Sequence, residues 1–240
     1  MKKNLFVIAG LLVASLWVSS VFAQSKMIVV APGFDHPLSL VAQRVLLEIY
    51  KKAGVDVKFE TFPPKRASAM FNLGKVDGFI FSDALFIKTH PGGILIYPPI
   101  GFDDIVAFTK KNDITINGWD SLKPYSIGYM YHMVVVEDHV KELNSRGVQN
   151  PIQAFKKLDA GRSDTDIVVM PRIVGLKMIK ILKLEGIKVL EPAIERVPLY
   201  HVVSAQNADL APALGAALAE MVKSGKLKTI TDNVEAEILK

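Results

Sequence analysis

Residues 63–78 read PPKRASAMFNLGKVDG, and the spacing of apolar and turn residues in this stretch largely decides the fold. Apolar side chains recur at helical intervals over residues 65–73, which predicts a short helix. The side chains expected to face inward are Ala67, Met70 and Phe71. Gly74 ends the helix, since glycine adopts the left-handed backbone conformation that closes many helices. The apolar run at residues 76–81 then predicts a strand.

The segments before this stretch show the same alternation. Residues 27–31 and 55–62 are predicted strands, and residues 37–53 between them are a predicted helix that ends at Gly54. The inward face of that helix is predicted to consist of Leu38, Val41, Val45, Leu46 and Ile49. The order strand-helix-strand-helix-strand is typical of a parallel sheet with right-handed crossovers.

A second unit of alternating strands and helices follows. Its predicted strands are residues 105–110, 125–130, 167–170 and 187–190, and its predicted helical segments are residues 119–122, 135–145, 152–158 and 172–185. Residues 199–204 are predicted to return to the first unit as a strand. Helices at residues 211–224 and 227–234 then pack back on that unit.

The two units predict an α/β fold with two lobes, each a parallel or mixed sheet flanked by helices. Residues 24–104 and 198–240 are assigned to lobe 1, and residues 105–197 to lobe 2. The chain therefore crosses twice between the lobes, which would form a two-strand hinge. Because ligands of open α/β sheets bind outside the carboxyl ends of the strands, both sets of strand ends would face one cleft.

Residues 1–23 have the three parts of a cleavable secretory signal peptide. Lys2-Lys3 precedes an apolar run at residues 5–18, and Val21-Phe22-Ala23 is a suitable cleavage site. The alternative is a membrane anchor, although the run is shorter than the roughly 20 apolar residues of a spanning helix. No cysteine follows the run, so we expect no lipid anchor. The mature chain is expected in the periplasm.

The composition argues against several classes of function. The chain has no cysteine, which excludes disulfides, thiolate metal sites and a cysteine nucleophile. Without the two lysines of the signal peptide, 27 basic residues stand against 24 acidic ones, and this net charge of +3 is too small to indicate a nucleic-acid partner. No common catalytic or phosphate-binding motif is present. We expect a binding protein without cofactor or metal rather than an enzyme, and we expect a monomer.

Several short motifs occur in an order that resembles the family 3 extracellular solute-binding proteins, the periplasmic receptors of many ABC importers. The motifs extend over essentially all of the mature chain: residues 63–78, Tyr97-Pro98-Pro99, residues 105–110, residues 118–123, Ser126-Ile127-Gly128-Tyr129, residues 158–169 and residues 214–230. The resemblance implies a periplasmic-binding-protein fold of the second topology, which closes on a small-molecule ligand between its lobes. It also implies a partner in the inner membrane, either an ABC permease or a sensor receptor.

Two positions depart from the amino-acid-binding members of that family. The loop at residues 82–96 lacks the arginine that grips the ligand carboxylate in those members. Met170-Pro171, followed by Arg172, stands in place of the aspartate that pairs with the ligand ammonium group. Because both parts of the clamp for a zwitterion are missing, a standard α-amino acid is not the expected ligand.

Four candidate ligand-binding residues lie at predicted strand ends of lobe 1. Phe34 could stack on a ligand, or it could belong to a turn that begins the first helix. Arg66 could bind an anion, or it could form a salt bridge with Asp77 or Asp83. Ser82 and Asp83 could contact the ligand, or they could cap the next helix.

Four further candidates lie at the predicted hinge and in lobe 2. Phe102 belongs to the crossing segment Phe102-Asp103-Asp104, in which one carboxylate could face a cationic ligand. Tyr129 and Tyr131 could form an aromatic wall, or Tyr131 could be a core residue. Arg172 could hold an anion together with Arg66, or it could form a salt bridge at the surface or the hinge.

The sequence thus predicts a solute-binding protein that closes on a small molecule, such as a small anion or a carboxylate, and presents it to a membrane partner. Two alternatives stay open. The protein could be a sensory or structural periplasmic protein with a degenerate cleft that binds a protein partner. It could instead be a dehydratase-like enzyme, for which Asp83, Asp103 and Asp104 are the available acid-base candidates.

Overall fold

A computed structural model describes residues 26–31, 37–131, 133–161 and 163–240. The predicted signal peptide and the candidate Phe34 lie outside these residues, as does His132. Within the described ranges, no helix combines the length and the apolar character of a membrane span.

The described residues form eight strands, eight α-helices and two 3₁₀ turns. The strands are β1 (Lys26–Ala31), β2 (Asp56–Thr61), β3 (Gly78–Ser82), β4 (Gly93–Thr109), β5 (Ile127–Met130), β6 (Ser145–Val148), β7 (Ile167–Pro171) and β8 (Lys188–Ser204). The α-helices are α1 (Pro37–Lys52), α2 (Pro64–Asn72), α3 (Phe86–Thr89), α4 (Val134–Val140), α5 (Pro151–Asp159), α6 (Arg172–Leu182), α7 (Ala211–Lys223) and α8 (Lys226–Leu239). The 3₁₀ turns are Trp119–Leu122 and Ala205–Leu210.

The strands form one mixed sheet in the order β2-β1-β3-β8-β4-β7-β5-β6. β1 pairs in parallel with β2 and β3, and β5 pairs in parallel with β6 and β7. Read inward from either edge, the order is the same: β2-β1-β3-β8-β4 from one side and β6-β5-β7-β4-β8 from the other. We call β1–β3 with their helices the first half and β5–β7 with theirs the second half. The two halves therefore have the same topology. β8 lies next to β3 of the first half, and β4 lies in the matching position next to β7 of the second half.

The two halves are joined by β4 and β8, an antiparallel pair of 17 residues each that we call the central ribbon. Its register shifts twice. Residues 97–100 of β4 stand opposite the single residue Tyr200, and residues 191–194 of β8 stand opposite the single residue Val106. Both four-residue bulges contain a cis proline bond. The strand pairing of the ribbon is thus regular in its middle, at residues 101–105 of β4, and at both ends, and one bulge separates the middle from each end.

The two faces of the ribbon are covered differently. Successive side chains of a strand point to opposite faces. Ile105 and Ala107 pack in an apolar cluster that runs through both halves, whereas Val106 and Phe108 pack in a cluster confined to the second half. Val202 packs in a third cluster, confined to the first half. One face is therefore continuously buried, and the other has a gap between its two clusters.

A buried histidine fixes β8 to the first half. His201 is fully buried, and its Nδ1–H donates to the carbonyl oxygen of Phe79 at 2.8 Å. Its Nε2 accepts a hydrogen bond from the Tyr50 hydroxyl at 2.8 Å. Burial lowers the pKa of His201 to about 4 and raises the pKa of Tyr50. The imidazole is therefore neutral at pH 7 and has a partner at each nitrogen.

The predicted α/β fold is confirmed, and the two expected sheets are joined through the central ribbon into one. Three element predictions were wrong. The segments 187–190 and 199–204 belong to one strand, β8, and the strand predicted at 105–110 begins at Gly93. The helix predicted at 135–145 ends at Val140, and β6 follows it as the edge strand of the sheet. The assigned lobe boundaries stay a prediction.

Candidate functional site

The gap on the open face of the ribbon exposes a row of large side chains, which we call the central strip. It consists of Tyr97, Phe102, Asp104, Arg196 and Tyr200. Tyr97 is 61% exposed, Phe102 is 43% exposed and the Arg196 side chain is 64% exposed. Asp104 pairs directly with Arg196 in the register of the two strands, so both point to this face.

Both sets of parallel strands end at this strip. Ser82, the last residue of β3, pairs with Tyr200, and Pro171, the last residue of β7, pairs with Ile105. The carboxyl ends of β3 and β7 therefore reach the ribbon from the first and second halves. Open α/β sheets bind their ligands outside such strand ends. The central strip and its flanking loops are the candidate binding site.

Aromatic contacts organise the strip. The rings of Tyr97 and Tyr200 lie 4.8 Å apart between centroids. The guanidinium of Arg196 lies over the Phe102 ring, 4.4 Å from its centroid, at a distance that gives a favourable cation–π interaction. The sequence analysis does not single out Tyr97 or Tyr200, although Tyr97-Pro98-Pro99 is one of the motifs that carry the family resemblance.

The charged side of the strip is an ion-pair network around Arg172. Its guanidinium binds both carboxylate oxygens of Glu191, with Nη2 2.9 Å from Oε2, and its Nε lies 3.8 Å from Asp104 Oδ2. Arg196 Nε lies 3.8 Å from the other oxygen of Asp104. The hydrogen bonds with Glu191 raise the pKa of Arg172, and those with Arg172 lower the pKa of Glu191. Arg172 thus forms the salt bridge that was the alternative to ligand binding, and the four charges cancel.

The candidate residues of the first half have defined local roles. Arg66 is exposed at the start of α2, with its guanidinium 5.2 Å from the centroid of the Phe62 ring. The half-buried Asp83 accepts a hydrogen bond from the backbone N–H of Leu85 at 2.9 Å, so it caps the turn before α3. Burial raises the pKa of Asp83. Asp83 thus has a capping role, which was the alternative to ligand contact, and Arg66 contacts an aromatic ring.

The comparison with known proteins supports the architecture. No model of a protein family matches the chain, and no curated protein matches it. A solved ancestral arginine-binding protein bound to glutamine is similar, with 21% identity, a TM-score of 0.66, and 87% of this chain and 96% of that chain covered. A histidine kinase sensor domain with similarity to periplasmic binding proteins has 17% identity, a TM-score of 0.70, and 88% and 96% covered. The chain has the periplasmic-binding-protein fold.

A third similar structure shows that the fold assignment does not depend on one functional class of protein. It is an amino acid ABC transporter substrate-binding protein from Streptococcus pneumoniae, bound to L-arginine, with 12% identity, a TM-score of 0.68, and 90% of this chain and 96% of that chain covered. Transport and sensor proteins therefore both share the periplasmic-binding-protein fold of this chain. These neighbours are binding proteins and sensor domains rather than enzymes.

The two candidate tyrosines of the second half have different environments within this fold. Tyr129 is buried in the core cluster, and burial raises its pKa. Tyr131 directly follows β5 and is 38% exposed. Its ring lies on the backbone of Gly147 in β6, where a Cβ atom would overlap it. Of the two, Tyr131 is the one that a ligand can reach.

Tyr131 is also one wall of a surface groove between β6 and α5, which we call the α5 groove. It has a volume of about 540 Å³.

In the part of the chain that the structure describes, no three His, Asp or Glu side chains cluster in a way that could hold a metal ion.

Proposed function

We propose that the protein is a divergent family 3 extracellular solute-binding protein that binds a small molecule at the central strip. The observation that carries this proposal is the ribbon itself. Two strands join two halves of identical topology, and the carboxyl ends of β3 and β7 meet at its exposed face. Closure of the halves about the regular middle of the ribbon would enclose a ligand there.

The ligand class that we propose is a small anion or a carboxylate with an apolar or aromatic body. Tyr97, Tyr200 and Phe102 offer ring surface for the body. Glu191 forms an ion pair with Arg172 in the structure, but the Glu191 side chain is 62% exposed. A ligand carboxylate could therefore replace Glu191 at the guanidinium without leaving the displaced charge buried. A standard amino acid is disfavoured because Met170-Pro171 stands where an aspartate would pair with its ammonium group, and the carboxylate of the strip, Asp104, already lies between Arg172 and Arg196.

The location that we propose is the periplasm, with an inner-membrane permease as the partner that reads the closed state. A ligand shifts such a protein towards closure only by its higher affinity for the closed form. The membrane partner would then discriminate closed from open protein by the relative position of the two halves.

A second candidate function is that of a sensory protein whose cleft is degenerate. Two observations favour it. The Arg172–Glu191 pair already satisfies the charge at the site, and two similar structures are a histidine kinase sensor domain and the BvgS VFT2 domain of Bordetella pertussis, the latter with a TM-score of 0.67. In this case a protein partner, rather than a solute, would bias the position of the halves.

A thermal-shift screen of the mature chain, residues 24–240, distinguishes the two functions. The protein is refolded first to remove carried-over ligand and is then tested against amino acids, polyamines, organic acids and aromatic carboxylates. A ligand at 100 times its Kd stabilises a protein by about 2.7 kcal/mol, which raises the Tm by several degrees. A hit among the carboxylates that Tyr97→Ala weakens supports the solute-binding function and its ligand class, since Tyr97 belongs to the central strip. A flat response across the panel favours the sensory alternative.

A further inference from the structure

Five of the eight residues that line the α5 groove have side chains with hydrogen-bond donors. They are Tyr131, with a hydroxyl, Gln149 and Gln153, with amides, and Lys156 and Lys157, with ammonium groups. Gln153 Oε1 already accepts from the backbone N–H of Gln149 at 3.1 Å, which turns the Gln153 amide nitrogen away from that bond and leaves it available as a donor. A site with this lining favours a ligand that mainly accepts hydrogen bonds.

The charge of the groove is uncompensated within the described part of the chain. None of the residues that line it is acidic. Neither Lys156 nor Lys157 forms a salt bridge with a described carboxylate, whereas the nearby Lys110 binds Asp159 at 2.7 Å and Arg146 binds Asp164 at 3.1 Å. Asp159, which precedes the lining residue Ala160, and Asp164 are thus paired with other cations. Lys156 and Lys157 remain to attract an anion.

The apolar wall of the groove is fixed by a sequence feature. The ring of Tyr131 can pack against β6 in this position only because residue 147 is glycine, since a Cβ atom there would overlap the ring. The backbone N–H of Tyr131 donates to the carbonyl oxygen of Val148 at 2.9 Å, which fixes the tyrosine to the edge strand. The groove begins where β5 and β6 end, and ligands bind near such strand ends in open α/β sheets.

We propose that the α5 groove is a second ligand site that binds an organic carboxylate with a flat apolar body. The carboxylate lies near Lys156 and Lys157, and the body packs on the Tyr131 ring. A volume of about 540 Å³ is ample for a small aromatic acid. This site shares no residue with the central strip, so it stands or falls independently of the proposed function.

The test is an NMR titration of ¹⁵N-labelled full mature protein with three probes. Benzoate carries both the ring and the charge, benzamide carries the ring alone, and acetate carries the charge alone. Benzoate is expected to shift the amide signals of Gly147, Val148 and Gln149, and to bind more tightly than either other probe. The double variant K156Q/K157Q is expected to weaken benzoate binding about fivefold, as two exposed ion pairs would.

Two controls make the test specific. K180Q/K223Q removes the same charge at exposed sites on α6 and α7, and it should leave benzoate binding unchanged. G147A should displace the Tyr131 ring and weaken benzoate without affecting acetate, with the dispersion of the NMR spectrum confirming that the variant folds. The proposal is overturned if benzamide binds as tightly as benzoate, if both double variants behave alike, or if the benzoate shifts map to the central strip or are absent.

Discussion

Protonation of His201 is expected to destabilise the protein in mild acid. The imidazole is fully buried, donates to the carbonyl of Phe79 and accepts from the hydroxyl of Tyr50. A protonated ring would lose the hydrogen bond from Tyr50, since Nε2 would then also be a donor, and it would place a charge in the core. Burial accordingly lowers the pKa of His201 from 6.5 to about 4.

The sign and the size of the effect follow from this shift. The pKa is lower in the folded than in the unfolded protein, so the contribution to stability is complete above pH 6.5 and is lost as the pH falls from 6.5 towards 4. A difference of roughly 2.5 pKa units corresponds to about 3 kcal/mol. This is a large fraction of the stability of a typical domain.

The assay is urea unfolding at intervals from pH 7 to pH 4, for the wild type and for His201→Gln. The glutamine cannot titrate, so its free energy of unfolding should fall less over this interval. Asp83 and Glu235 have pKa values raised by burial and act in the opposite direction, but they are common to both proteins. Parallel curves for the two proteins would refute the reasoning. If the variant does not fold, NMR titration of the His201 ring in the wild type gives the same answer, and a pKa near 6.5 would contradict it.

Three further predictions concern the second half and the central strip. Gly175→Ala should lower the free energy of unfolding by about 1–3 kcal/mol, because the new Cβ overlaps the Phe108 ring; urea unfolding should show recovery when Phe108→Leu is added. Glu191→Ala should tighten carboxylate binding about fivefold by releasing Arg172, and calorimetry showing unchanged or weaker binding would count against the exchange. Tyr97→Ala should change stability by less than about 1.5 kcal/mol, since the ring is mostly exposed, yet weaken the best ligand of the thermal-shift screen; equal affinity by calorimetry would remove Tyr97 from the site.

Local sequence patterns predict the parallel parts of the sheet well. Each predicted inward-facing residue of α1 is buried, and Ile167–Pro171 is a fully buried strand. The sequence predicts the two strands of the central ribbon only in pieces. Pro98, Pro99 and Pro192 interrupt the apolar pattern, and such residues normally mark turns. In the structure they occupy the bulges, where ladder hydrogen bonds are already lost. β6 has the sequence SRGV, which carries no clear strand signal.

The candidate site was harder to predict because it depends on pairing across the ribbon. Arg172 was singled out from its place after β7, but its partner Glu191 is 19 residues away on a different strand. Tyr97 and Tyr200 meet only through the shift in register between β4 and β8. Similarly, nothing in the sequence near Tyr131 indicates that Gly147 provides the surface on which its ring lies.

The central claim is that the two halves close about the ribbon when a solute binds. Lys65 and Ile152 lie in the first turns of α2 and α5, the helices that follow the edge strands β2 and β6, and both are exposed. The chain has no cysteine, so K65C/I152C takes up spin labels at these two sites alone. Electron–electron distance measurements should show a shorter and narrower distribution with the ligand that gives the largest thermal shift. An unchanged distribution with that ligand bound would contradict closure.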